Sequence, residues 1–171
     1  MKTFVVIIIA ILFTSISFAQ DINFLSVDST ENEPMLLGYC NRDAFKDTSF
    51  SWWFNSEYLL YNVDSVSGEK IKNEMKDVKA TIVMGSWCSD SRTWVPKFFK
   101  IMDFIKYPSD SITIICVDRK MHGRKNEVDT LNIEKVPTFI FYRNGKELGR
   151  IIESPKVSLM KDMIAILKNG S

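Results

Sequence analysis

The stretch Ala80-Thr81-Ile82-Val83-Met84-Gly85-Ser86-Trp87-Cys88-Ser89-Asp90-Ser91, continued by Arg92-Thr93-Trp94-Val95-Pro96, decides how this chain is read. An apolar run stops at the small-residue turn Gly85-Ser86. A Trp-Cys pair then opens a segment in which Val95, Phe98, Phe99, Met102 and Ile105 recur at helical spacing. A strand therefore runs into a helix, with Cys88 at the junction. Backbone N–H groups in the first turn of a helix point outward, and the helix dipole favours an anion there. A cysteine so placed is biased toward the thiolate, which is the nucleophilic form. Ser89 and Ser91 are candidates to cap the helix and to donate hydrogen bonds to the sulfur, whereas Asp90 opposes by like charge.

Upstream of this stretch, Ser67 to Asp77 places Ile71, Met75 and Val78 on one helical stripe. Asp47 to Tyr61 is aromatic, with Phe54, Tyr58 and Tyr61 at helical spacing and Ser51 a candidate cap. These rings are expected to pack the segment onto the main domain. Gln20 to Pro34 is polar and acidic and reads as a loosely held lead-in.

Downstream, Pro96 falls inside the helical pattern and predicts a kink. Ser111 to Asp118 reads as a buried strand, followed by the basic loop Arg119–Lys125 and a short helix near Glu127–Leu131. A strand starts at Val136-Pro137, turns at Asn144-Gly145 and returns through Glu147 to Ile152. Pro155 to Lys168 predicts a closing helix with Met160, Met163, Ile164 and Leu167 inward, stopped at Asn169-Gly170. Strands joined through helices are parallel and the hairpin pair is antiparallel, so the fold class is α/β with a mixed central sheet flanked by helices.

The chain has 171 residues, 46% of them hydrophobic and 25% charged, which suits one domain with a proper core. Lys2, the apolar run Phe4–Phe13 and the small-residue exit ending at Ala19 have the pattern of a secretory signal peptide, too short for a permanent bilayer span. Residues 1–19 are thus expected to be removed on export to a periplasmic or extracellular space. Residues 20–66 form an extension packed on the main domain, residues 67–171. Loss of Lys2 leaves equal numbers of basic and acidic residues, which argues against nucleic acid as a partner. The three cysteines, Cys40, Cys88 and Cys116, are too few for a disulfide-built scaffold. Cys116 lies mid-strand and reads as a core thiol. The single histidine, His122, reads as a surface residue. No cluster has metal-ligand spacing, so neither metal nor cofactor is expected.

Taken together, Trp87-Cys88-Ser89-Asp90-Ser91, Pro96, Val136-Pro137-Thr138 and the hairpin Thr138–Glu147 resemble the thioredoxin superfamily, over about residues 69–169. The first motif is similar to Trp-Cys-x-x-Cys, and the likeness is greatest to secreted bacterial thioredoxin-like proteins. The resemblance implies that Cys88 attacks a disulfide and that Trp87 shapes the adjoining surface. It also implies that Pro137 has a cis bond, and that the Val136 backbone, with Thr138 beyond, pairs with an extended substrate segment.

Two departures shape the expected activity. Ser91 stands where the family has its resolving cysteine, and Ile82 where it has a buried acid. A hydroxyl cannot break a mixed disulfide. Cys88 would then rely on a substrate thiol, giving isomerisation, or on an external reducing thiol, giving monothiol reduction. Two alternatives stay open at this stage: a non-catalytic peptide-binding module built on the groove beside Pro137, and a dithiol enzyme recruiting Cys40 as a remote resolving thiol. Cys40 can equally be free or pair with Cys116.

Overall fold

Val78 opens a strand that runs to Met84, earlier than the expected start at Thr81, and this strand lies in the middle of a six-stranded sheet. The computed structural model describes residues 22–168; the segment 1–19, expected to be a signal peptide, and the helix stop expected at Asn169-Gly170 lie outside the described residues. Along the chain the elements are β1 (Phe24–Asp28), β2 (Glu33–Cys40), α1 (Thr48–Leu60), α2 (Ser65–Glu74), β3 (Val78–Met84), α3 (Ser89–Phe104), β4 (Ile112–Cys116), β5 (Thr138–Arg143), β6 (Lys146–Ile152) and α4 (Leu159–Lys168). The sheet order is β1-β2-β4-β3-β5-β6. β3 and β4 are parallel, and every other neighbouring pair is antiparallel. The architecture is therefore α/β, a mixed sheet flanked by helices.

The period of two along β3 and β4 divides the core into two layers. Ile82, Met84, Ile114 and Cys116 join the larger one, with Phe98 and Phe99 of α3, Phe54 of α1, Ile71 of α2 and Met163 of α4. Val83, Ile115 and Val117 join the smaller one, with Val128 and Val136. Phe98, wholly buried, stacks on Phe139 at 5.2 Å between ring centres and joins α3 to β5. Asn144 and Gly145 both have positive φ, +53° and +77°, as the tight turn between β5 and β6 requires.

Several local expectations change. The described part of the expected lead-in Gln20–Pro34 is not loose, because β1 pairs with β2 in register from Phe24↔Leu37 to Asp28↔Glu33. The apolar residues of β1 remain exposed, so no alternating pattern marks it. Its anchors are backbone pairing and Asp28, whose carboxylate receives Nε of Arg119 at 2.8 and 3.1 Å and the Thr30 N–H at 3.0 Å. Asp47, not Ser51, caps α1 by accepting the Ser49 N–H at 2.8 Å. Val78 belongs to β3 and not to the α2 stripe, since α2 has already ended at Met75. Glu127–Leu131 is a series of turns, with Leu131 N–H on Val128 O at 2.9 Å. Asn126, Asp129 and Asn132 offer local bonds that compete with a helix there. The aromatic segment packs as expected: Phe50, Trp53 and Phe54 are buried, and Trp52 alone of the Trp52-Trp53-Phe54 run is strongly exposed, at 64%.

The Arg119 hydrogen bond holds the Asp28 carboxyl below its ordinary pKa of 3.8. A carboxyl lowered on folding stabilises the fold above its ordinary value and loses that contribution as pH falls through the folded value. Asp28→Asn is therefore expected to lower the urea midpoint at pH 7, and the gap from wild type should close progressively in acid below pH 3.8. A gap that stays constant down to that acid range would show that the ion pair contributes nothing to stability.

Candidate active site

Cys88 follows the turn that ends β3. Its N–H reaches Gly85 O at 2.9 Å, and its own carbonyl accepts the Arg92 N–H at 3.0 Å as the first helical bond. The residue is thus the N-cap of α3, with extended backbone (φ −84°, ψ 127°). No side chain caps the helix at this position, so the orphan N–H groups of its first turn have no side-chain cap. Cys88 is partly exposed, and its thiol donates to the Val136 carbonyl oxygen at 3.3 Å.

Val136 and Pro137 reach the sulfur because β5 lies beside β3, with Thr138 opposite Val83. The Val136–Pro137 bond is cis. Thr138, itself buried, donates its hydroxyl to Lys135 O at 2.7 Å, and Pro137 O accepts the Glu153 N–H at 2.7 Å. The loop is therefore tied on both sides of the peptide that faces Cys88. Trp87 lies folded over Gly85: a Cβ on Gly85 would come within 2.5 Å of its ring. The indole N–H donates to Val117 O at 2.8 Å.

The structure thus brings together Cys88, Trp87, Val136 and Pro137, with Thr138 just behind. Ser91 occupies a different role from the expected one. It is wholly buried one turn along α3, and its oxygen accepts the Gly85 N–H at 3.2 Å, bracing the turn from beneath. Ser89, exposed, provides no cap either.

Cys40 is not positioned to resolve a bond on Cys88. It is buried in the larger core layer with Cys116, whereas Cys88 packs against the layer on the other face of β3 and β4. The antiparallel register, Gly38↔Cys116 and Cys40↔Ile114, leaves Cys40 and Cys116 as diagonal neighbours. The Cys40 thiol and burial push the Cys116 thiol well above its usual value, which keeps it protonated and inert. All three cysteines are free.

Several contacts around the turn, two of them from the N-terminal hairpin, have no counterpart in the sequence reading. The Leu36 N–H donates to Ser86 Oγ at 3.0 Å, in the turn before Cys88. Arg92 donates Nε to Ser86 O at 2.7 Å and faces Glu33 at 3.9 Å. Arg119, in sequence one cation of the basic loop Arg119–Lys125, lies with its guanidinium 5.0 Å from the Trp87 ring centre. Nothing in a single sequence joins Asp28 to Arg119 or Leu36 to Ser86, because only the sheet order brings them together. Among the described residues, no group of three or more His, Cys, Asp and Glu stands where it would hold a metal ion.

Since Gly85 leaves the space that the Trp87 ring fills, Gly85→Ala is expected to expel the indole and break its bond to Val117. The cost should be about 1–3 kcal/mol by urea unfolding, the usual range for overpacking. A variant of wild-type stability would mean that the ring moves freely.

A sequence model described as thioredoxin matches residues 62–165. Mitochondrial thioredoxin O from Oryza sativa subsp. japonica is 32% identical over 125 residues, which cover 72% of this chain and 70% of that protein. A thioredoxin-like protein of Acanthamoeba polyphaga mimivirus is 25% identical over 79 residues, 46% of this chain and 55% of that protein. Among solved structures, a protein of unknown function from Pseudomonas aeruginosa shares the fold, with a TM-score of 0.58 at 12% identity over 77% of this chain and 93% of that one. With most of its length matched by that family and Cys88 at the end of the central strand, the chain belongs to the thioredoxin family, whose chemistry is thiol–disulfide exchange.

Proposed function

We propose that this chain is an exported thiol–disulfide exchange protein that acts through Cys88 alone. The observation that carries the reading is the meeting of the Cys88 thiol with the Val136 carbonyl at 3.3 Å, with a buried serine rather than a second thiol one turn further along. Substrates are protein disulfides or thiols, and the completing partner is an external thiol.

In the resting site the Cys88 thiol keeps its proton and donates it in a hydrogen bond to the Val136 carbonyl oxygen. Ionisation removes that proton and frees the carbonyl to accept an N–H from an extended substrate segment. The orphan N–H groups of the α3 first turn and the dipole behind them favour the resulting anion. The thiolate attacks one sulfur of the substrate disulfide. That S–S bond breaks, a Cys88–substrate disulfide forms, and the second substrate sulfur leaves as a thiolate that takes up a proton from water. Ser91 Oγ cannot repeat the attack on the Cys88 bond, since a hydroxyl ionises far too weakly and this one is occupied with Gly85. Two thiols can complete the cycle. A substrate thiol that attacks the substrate sulfur rearranges the disulfide and frees Cys88. An external thiol that attacks it joins the substrate in a new disulfide, and a second such thiol reduces that.

Export rests on the segment Lys2–Ala19. Intact-mass measurement of protein from the producing cell should give a chain beginning at Gln20, and a retained Met1 would refute export by this route.

Incubation with a disulfide-bonded peptide is expected to accumulate a mixed disulfide on wild-type protein, lost entirely in Cys88→Ala. In Ser91→Cys the intermediate should drain, as a thiol one turn along completes the exchange and leaves an intramolecular disulfide. Absence of any adduct on the wild type would leave the groove beside Pro137 as a peptide-holding site without exchange.

A further inference from the structure

Arg119 is exposed at its tip yet fixed in place. Asp28 holds it through Nε at 2.8 and 3.1 Å and through Nη2 at 2.7 Å, with Glu31 at 3.6 Å beyond. The guanidinium lies over Trp87, the residue before Cys88. Its pKa is raised, chiefly by the Asp28 hydrogen bond. The other cations flanking the turn are paired, as Arg119 is, but none of them lies over the Trp87 ring, and Asp90 is of the opposite sign. Arg92 is on Ser86 O and Glu33, Lys135 is paired with Glu153 at 2.6 Å, and Asp90 is an anion in the first turn of α3.

We propose that Arg119 is the charge partner of the Cys88 sulfur: Asp28 of the N-terminal hairpin pins the guanidinium against Trp87, and from there its positive charge stabilises the thiolate during exchange. This rests on the exchange reading above. A cation beside a thiol favours the anion and so raises the fraction able to attack. Arg119 touches no reacting atom and is a positioning residue. The arrangement also gives the segment before residue 62, outside the matched family region, a direct hold on the site.

The ion pair supplies its own test. As a strap, it would be damaged alike by loss of either half. As a source of charge, its halves act oppositely on the sulfur, because Arg119 favours the anion and Asp28 partly neutralises Arg119. The rate of Cys88 alkylation by uncharged iodoacetamide at pH 7, followed by peptide mass spectrometry on the full chain, separates the two. Arg119→Met is expected to lower it roughly three- to tenfold, the scale of one partly screened charge. Arg119→Lys should retain most of it, and Asp28→Asn, which keeps one oxygen to accept from Arg119 but loses the negative charge, should stay at or above wild type. Added salt should narrow the gap between wild type and Arg119→Met. An Arg119→Met protein that reacts at the wild-type rate overturns the inference, as does an Asp28→Asn protein that slows with it. If the wild type forms the mixed disulfide while Arg119→Met is alkylated unchanged, exchange stands and only the role of Arg119 falls. If the wild type forms no mixed disulfide, the exchange reading itself has failed.

Discussion

The position of β3 governs everything else in this molecule. It is paired on both edges, parallel to β4 and antiparallel to β5, and a packed layer covers each of its faces. A one-residue slip would exchange Ile82 and Met84 with Val83 between layers of different shape, so the register is held by burial on both sides. The end of the strand is consequently a fixed point. Gly85, Ser86 and Trp87 build a turn on it, and Cys88 begins α3 with its sulfur at the carboxyl edge of the sheet, where open α/β sheets bind their ligands.

The same constraint delivers the second half of the site. β5 lies against β3 from Val78↔Arg143 to Val83↔Thr138, so the residues before Thr138 emerge beside those after Met84. Val136 and Cys88 are far apart in sequence but meet because two strands share a register. The support beneath is equally shared: Ser91 from α3 accepts the Gly85 N–H, and Leu36 from β2 donates to Ser86. The turn is gripped from a helix on one side and from the N-terminal hairpin on the other. A nucleophile held in this way loses little freedom on meeting its partner.

What could be read from sequence follows the strength of the local pattern. β3, α3, the Asn144-Gly145 hairpin and α4 each have a clean period or an unambiguous turn, and all are present. Cys88 is legible because a Trp-Cys pair at a strand–helix junction has a mechanical meaning, and Val136-Pro137 enters the site only through the family resemblance. β1 was not legible, since its apolar residues remain exposed and its stabilising contacts are to the backbone of β2 and to Arg119, ninety-one residues away. The same distance hid Arg119, which in sequence is one cation in a basic loop. Ser91 shows a subtler limit. Whether its hydroxyl faces the sulfur or the turn depends on the Gly85 N–H, which no spacing rule assigns.

Ser91 also explains how a site of this form persists without a second thiol. The position is wholly buried, and what the fold needs there is a small side chain that can accept the Gly85 N–H. An oxygen does this at least as well as sulfur, being the stronger acceptor. The architecture is therefore indifferent to the change while the chemistry is not, because only a thiol could close the cycle from within. Ile82 makes the complementary point: wholly buried in the larger layer, it needs no partner, whereas an acid there would require one. With neither a second thiol nor a buried acid, what remains to bias the Cys88 sulfur is the orientation of the α3 first turn and the charges around it. Those charges are held in part by the N-terminal hairpin. In the role proposed for Arg119, part of the electrostatic control of the cysteine lies at the rim of the site, within reach of the segment before residue 62.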